Sequence, residues 1–266
     1  MQMKTKKVTI HDVAKEAGIS AATVSYIINN RTDQTISEET KQKVWHVINM
    51  LNYKPNTFAK NLRTASENKF IAVCSDFSNE LAKAEFFYTF QGLEKAINDK
   101  YSLVFTSNPY KRFSNADCIL AINLSKDSFY KIGKDNFIPL IAINSYINDK
   151  LFFQININFE SLKILAEKHF NSDYTFVTIE PNDIQIKEKI LSNFSKVIFV
   201  NNYLQLDSIK DSNILTIDTC IYKYLSNKDL KVFIPAELSN NKFNKISTCI
   251  DQAVSREKFD IHEFEV

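Results

Sequence analysis

Residues 8–63, VTIHDVAKEAGISAATVSYIINNRTDQTISEETKQKVWHVINMLNYKPNTFAKNLR, predict three short helices and an isolated fourth. The first helix starts at Thr9, whose hydroxyl can accept from the free amides of the first turn, with Asp12 placed to favour the positive helix end. Ile10, Val13, Ala14 and Ala17 recur at helical spacing, and Gly18 supplies the left-handed residue that ends the helix. Ser20 then caps a second helix after only a few residues, the spacing of a helix-turn-helix. On that second helix Val24, Ile27 and Ile28 point one way, while Ala22, Ser25, Tyr26 and Asn29 share the opposite stripe. A third helix begins at Ser37 with Glu38 and Glu39 in its first turn, and Val44, Val47, Ile48 and Leu51 form its apolar stripe, with Trp45 on the flank.

Tyr53-Lys54-Pro55-Asn56 leads into AKNLR, roughly two helical turns opened by a proline at the first position. That length is below the ~12–15 residues an isolated helix needs in water, so it is expected to order only when something holds it. At this point the residues carry a resemblance. VTIHDVAKEAGIS, ATVS and IIN, then ISEET and KV, then LNYKPN, Ala59 and NL closely resemble the DNA-binding headpiece and hinge helix of the lactose-repressor (LacI) family of bacterial transcription regulators, over about the first quarter of the chain.

The resemblance implies that the second helix enters the major groove and that the hinge helices of a dimer enter the minor groove at the centre of a near-palindromic operator. Ala21, Ala22 and Tyr26 match positions that read bases. Thr9, Ser20, Thr23, Ser25, Asn29, Tyr53 and Asn56 match positions that bind phosphates or support the docked helix; phosphate contacts set register and base contacts set sequence. Leu62 matches the wedge that opens the central base step, and Ala59 is small enough for two hinge helices to approach. The competing reading of Leu62 is packing against its own domain, and that of Tyr26 a ring folded on the headpiece. Many relatives carry arginine where Tyr26 stands, and a single phenol cannot span two guanine acceptors.

Charge agrees with this division. Residues 1–68 hold ten Lys and Arg against six Asp and Glu, a balance of +4, whereas the whole chain is +2, leaving −2 for the other 198 residues. The excess sits where phosphates would bind, though many solvated faces show as much. MQMKTKK has neither the apolar run of a signal peptide nor the length of a transit peptide, and no stretch approaches ~18 apolar residues. The expectation is a soluble cytoplasmic protein with no membrane partner. Cys74, Cys118, Cys220 and Cys249, and His11, His46, His169 and His262, are too scattered for disulfide, metal or cofactor motifs, so no cofactor is expected.

Beyond residue 68 short apolar runs alternate with helical stretches. Phe70–Cys74, Tyr101–Thr106, Cys118–Ile122, Leu140–Ile143, Thr175–Ile179, Val197–Val200 and Ile214–Ile217 read as buried strands; Glu85–Asn98, Phe159–Phe170 and Asn244–Ser255 read as helices. Alternation of this kind implies parallel sheet covered on both faces. It fits the two-lobed, periplasmic-binding-protein-like effector domain of the same family, which EFFYTFQGLEKA (85–96), VIFVNN (197–202) and ILTIDTCIYKYLSNKDLKVFIP (214–235) resemble. The expected organisation is an all-α headpiece at 1–54, a hinge helix and linker at 55–68, and a shortened, degenerate α/β effector and dimerisation domain at 69–266.

Three glycines in 266 residues leave no credible phosphate-cradling loop, against a usual ~7%. Strand 101–106 reaches strand 118–122 through only eleven residues, where the family places a helix. The segment matching the family's clamp arginine, Asp183–Leu191, holds only lysines, and Tyr203 replaces an acidic residue. Asp76, Asn79, Asn202 and Asp218 remain as candidate cleft residues, with loop capping as the competing reading. The expected function is a dimeric, DNA-binding repressor whose small-molecule effector is doubtful and which common sugars do not control. The alternatives are the same DNA role under a sugar or sugar-phosphate effector, and, from another class, an α/β enzyme or soluble binding protein. The last lacks any nucleophile–base motif, metal spacing or phosphate loop.

Overall fold

The computed structural model describes residues 8–29, 31, 35–53, 69–75, 77–97, 100–106, 108, 110, 112–113, 116–256 and 260–266. The expected sites Asn56, Ala59, Leu62 and Asp76 lie outside these described residues. Helices α1 (Ile10–Ala17), α2 (Ala21–Ile28) and α3 (Glu38–Met50) form the head. Thr9 and Asp12 make a reciprocal capping box on α1, and Gly18 ends it at φ 67°. The Ser20 and Ser37 hydroxyls accept from the amides of Thr23 and Thr40, which start α2 and α3. Each cap satisfies one of the amides that a helix start leaves without an intrahelical partner.

The rest of the chain forms two parallel sheets. In the first lobe the order is β10-β5-β4-β3-β1-β2, built from β1 (Phe70–Ser75), β2 (Ser102–Phe105), β3 (Cys118–Ile122), β4 (Leu140–Ile143), β5 (Gln154–Asn156) and β10 (Glu263–Glu265). In the second lobe it is β7-β6-β8-β9, from β6 (Thr175–Ile179), β7 (Val197–Val200), β8 (Asn213–Leu215) and β9 (Lys231–Phe233). The helices are α4 (Glu80–Ile97), α5 (Lys126–Asp135), α6 (Phe159–Phe170), α7 (Ile184–Asn193), α8 (Tyr203–Asp207), α9 (Thr219–Leu225) and α10 (Ala236–Ser255). After four strands in the second lobe, the chain returns through α10 to place β10 on the outer edge of the first.

The long apolar runs were legible as strands, but β5, β9 and β10 have three residues each and carry no periodicity to read. Helix α4 starts at Glu80 rather than Glu85 and α10 at Ala236 rather than Asn244. α10 extends because Pro235 provides a compatible helix start, and its first turns carry the polar run Ser239-Asn240-Asn241, which hides the amphipathic pattern. Among the described residues between Phe105 and Cys118, none is helical.

One face of the first sheet, with Ile71, Val73, Leu120 and Ile141, packs against α4 and α10. The opposite face, with Ala72, Cys74, Ile119, Ala121 and Ala142, belongs to a buried cluster that runs through Phe129 and Ile132 of α5 and on into Val44, Trp45 and Ile48 of α3. Head and first lobe therefore share a core.

Candidate nucleic-acid interface and inter-lobe cleft

The apolar stripe of α2 (Val24, Ile27, Ile28) is buried, and this fixes what the opposite stripe presents. Thr9, Ser20, Ala22 and Asn29 are exposed; Ala21, Thr23, Ser25 and Tyr26 are half-buried. The polar members are held in place locally. The Ser20 and Thr23 hydroxyls are 2.9 Å apart, and Asn29 Nδ2 donates to the Ser25 carbonyl at 2.8 Å and to its hydroxyl at 3.2 Å. The Arg31 guanidinium lies 5.7 Å from the Tyr26 ring centroid, a cation–π separation. Tyr53 is different: it is buried in the core shared with the first lobe, and desolvation raises its phenol pKa. That places it in support of the head, away from the open face.

The second site lies between the lobes. Asn123 and Asn144 end β3 and β4 in left-handed conformation, at φ 54° and 53°. Their side chains meet at 2.8 Å, and Lys242 of α10 donates to Asn144 Oδ1 at 2.7 Å. Across the gap, the Asp218 carboxylate accepts from the Thr178 hydroxyl at 2.7 Å and the Ile179 amide at 2.9 Å. Glu85 of α4 accepts from the Cys220 amide at 2.9 Å. These groups line a cavity of about 90 Å³. Burial, then the Asp218 charge, pushes Glu85 up to about 7, and burial also raises Asp218. Burial brings Lys242 down to about 8 against the pull of both carboxylates.

Of the residues singled out by sequence, Asn79 and Asp218 line this cavity. Asn79 also reaches Asn201 across the lobes at 3.1 Å. Asn202 caps α8, accepting from the Gln205 amide at 3.0 Å, and is not among the cavity's lining residues. Glu85, Asn123, Asn144 and Lys242 are not distinguished by sequence: a charge on an otherwise amphipathic helix, or an asparagine after a strand, reads as solvent-facing until the second lobe is in place. The Asn123 and Asn144 positions carry one usable signal, since polar residues just past parallel strands are where open α/β sheets bind ligands.

Residues 9–56 match the family model described as bacterial regulatory proteins, lacI family. The chain is 30% identical over 153 residues to an HTH-type transcriptional regulator of Lachnoclostridium phytofermentans, covering 52% of this chain and 45% of that protein. It is 29% identical over 160 residues to the probable HTH-type transcriptional repressor ExuR of Bacillus subtilis, covering 57% and 47%. The aligned part thus spans about half the length of these curated relatives. Among solved structures, a LacI family transcriptional regulator from Enterococcus faecalis V583 with bound ribose superposes with a TM-score of 0.50 at 14% identity, covering 74% of this chain and 95% of that one. At that identity the likeness concerns the fold alone.

Proposed function

We propose, from the match of residues 9–56 to the model of bacterial regulatory proteins, lacI family, that the chain is a sequence-specific DNA-binding repressor acting as a homodimer on a near-palindromic operator. The observation that carries this reading is the α2 stripe of Ala22, Ser25, Tyr26 and Asn29, exposed or half-buried on a capped helix whose other side is buried. In this reading Ala21, Ala22 and Tyr26 face base edges, the two alanines offering only methyl groups suited to thymine. Thr9, Ser20, Thr23, Ser25 and Asn29 face phosphates or brace the helix, Tyr53 braces it from the core, and Asn56, Ala59 and Leu62 complete the hinge. Selection from a randomised duplex pool tests it: a two-fold symmetric consensus is expected, and equal affinity for that consensus and scrambled DNA at physiological salt rejects it.

Dimerisation is supported by the edge of the first lobe. Phe87 is 57% exposed, and Val104 and Phe105 of the edge strand β2 are 47% and 45% exposed. Phe87 and Phe105 lie 6.1 Å apart and continue the ring cluster of Phe77 and Phe86. An exposed edge strand beside an apolar helix face is a surface that a second copy can cover isologously. Phe87→Asp is expected to yield monomers by analytical ultracentrifugation.

A second reading adds a small polar effector. It is favoured by the convergence of Glu85, Asp218, Lys242, Asn123 and Asn144 on one cavity, more polar groups than the sequence led one to expect. Against it stands the fact that these groups already bond to the protein: Lys242 to Asn144, Glu85 to the Cys220 amide, Asp218 to Thr178. An incoming hydroxyl must displace bonds already made. A metabolite panel screened by thermal melting, then by operator release, separates the two readings.

A further inference from the structure

We propose that the first lobe carries a built seat for the DNA-reading head, with Trp45 as its knob and Gly133 as the floor of its socket, and that this seat orients the head for DNA. Parallel sheets are covered on both faces, and crossover helices ordinarily do the covering. Here the described part of the β2–β3 connection contains no helix, and on that face α5 is overlaid by α3 of the head. The head thus adds a second layer over α5 on that face.

The contact is specific in shape. Trp45 is fully buried, stacked on Phe152 at 4.8 Å between ring centroids and set edge-on to Tyr130 at 5.7 Å. A Cβ placed on Gly133 of α5 would lie 1.9 Å from Trp45 Cζ2, so this approach excludes every residue but glycine unless the indole moves. Trp45 Nε1 has no hydrogen-bond partner among the described residues, which leaves packing as what holds the ring.

Polar clamps surround the knob. His46 Nε2 lies 2.9 Å from Asp149 Oδ2. Arg112, from the β2–β3 connection, donates to the Ile28 carbonyl at the C-terminal end of α2. Arg256 donates to the Tyr53 carbonyl just after α3 at 3.0 Å. An arginine at a helix's C-terminal carbonyls meets both an orphan acceptor and the negative end of the dipole. With these clamps closed, Ser20, Ala22 and Asn29 stay exposed, so the seated head still presents its open stripe. Fixing the head beforehand removes part of the ordering cost of binding.

Trp45 is the sole tryptophan of the chain, so fluorescence excited selectively in tryptophan, beyond the absorption of the tyrosines, reports on the seat. The expected wild-type signal is blue-shifted emission with little acrylamide quenching. Gly133→Ala supplies a sign test: in a helix this change is ordinarily stabilising by ~1 kcal/mol, but here it should shift Trp45 emission to the red, raise its quenching several-fold and lower the melting temperature. Phe152→Ala, which removes the stacked ring without a clash, should also raise quenching if the alanine at 133 prevents folding. In operator titrations both variants should bind several-fold more weakly with an unchanged consensus, as expected of positioning residues. A solvent-exposed Trp45 in the wild type, or Gly133→Ala with unchanged emission and a higher melting point, overturns the seat. Displaced Trp45 with unchanged operator affinity overturns its orienting role. If no duplex is bound specifically by the wild type while Trp45 is buried, the DNA reading fails and the structural seat stands.

Discussion

Tyr26 occupies the centre of the open stripe of α2, half-buried, with its ring beside the Arg31 guanidinium. Its phenol can donate one hydrogen bond where an arginine fork donates two, so Tyr26→Arg should move the preferred base at one position of each half-site toward guanine, by about 1–3 kcal/mol of discrimination. An unchanged consensus in a randomised-site selection would exclude Tyr26 as a reading residue. A second residue-scale prediction concerns His46. The hydrogen bond to Asp149 raises the imidazole pKa above its usual 6.5, while bonds from His46, the Leu151 amide and the Tyr130 phenol outweigh burial to hold Asp149 below 3.8. The groups facing the imidazole are that carboxylate, the Tyr130 phenol and the Gln42 carbonyl, with the Trp45 and Phe152 rings. A raised histidine stabilises below its unfolded pKa and loses this as pH rises through the folded value; a lowered aspartate does so above its unfolded pKa. The pair therefore contributes most between about pH 4 and 6.5, by no more than ~1 kcal/mol because His46 is partly solvated. The stability difference between wild type and Asp149→Asn should be larger at pH 5.5 than at pH 9; equal differences would sever the pair from head seating.

At the scale of elements, α2 is only eight residues long and depends on its start. Ser20→Ala removes the acceptor for the Thr23 amide and should cost about 1 kcal/mol, measured by chemical denaturation; no loss would mean that the cap is idle. A chain with three glycines must also end strands and helices by other means, and asparagine does it here. Asn123 and Asn144 close β3 and β4, and Asn171 ends α6 at φ 53°. Asparagine tolerates the left-handed region better than other residues with a Cβ. Asn171→Val should lose ~1–2 kcal/mol and Asn171→Gly should be nearly neutral; a valine variant that melts like the wild type would contradict this. For the hinge segment, Leu62→Ala is expected to weaken specific binding while sparing non-specific binding, because only the specific complex requires the wedge.

For the whole molecule, a core running from α3 through α5 to the first sheet implies that head and lobe unfold together. Trp45 fluorescence and far-ultraviolet circular dichroism should give coincident denaturation curves, and a head that melts first would show the shared core to be unimportant. DNA affinity should fall linearly on a log scale with salt, by a slope of about 0.9 per phosphate neutralised. For the cleft, an effector at ~100 times its dissociation constant would add ~2.7 kcal/mol of stability. The closed bonding of Lys242, Glu85 and Asp218 leads us to expect no such shift from common sugars; a rise of about two degrees or more with altered operator affinity would establish the effector-controlled reading.

The local signals were written in the sequence because they act over three or four residues: the Thr9–Asp12 capping box, the Gly18 turn, the Ser20 and Ser37 caps, and the two-sided α2. Apolar strands such as Cys118–Ile122 were legible because burial on both faces of a parallel sheet makes every residue of the run apolar. The resemblance of residues 8–62 to one family carried the functional expectation. Tertiary structure decided what depends on partners far apart in the chain. Trp45 read as the flank of a small three-helix core; it is the centre of an interface with Gly133 and Phe152, about ninety and one hundred and ten residues away. His46 looked scattered until Asp149 stood beside it. Lys242 and Glu85 became cleft residues only when the two lobes closed on them. Periodicity specifies which face of an element is apolar, but not which distant surface will cover it, and in this molecule α5 and the helical head together cover one face of the first sheet.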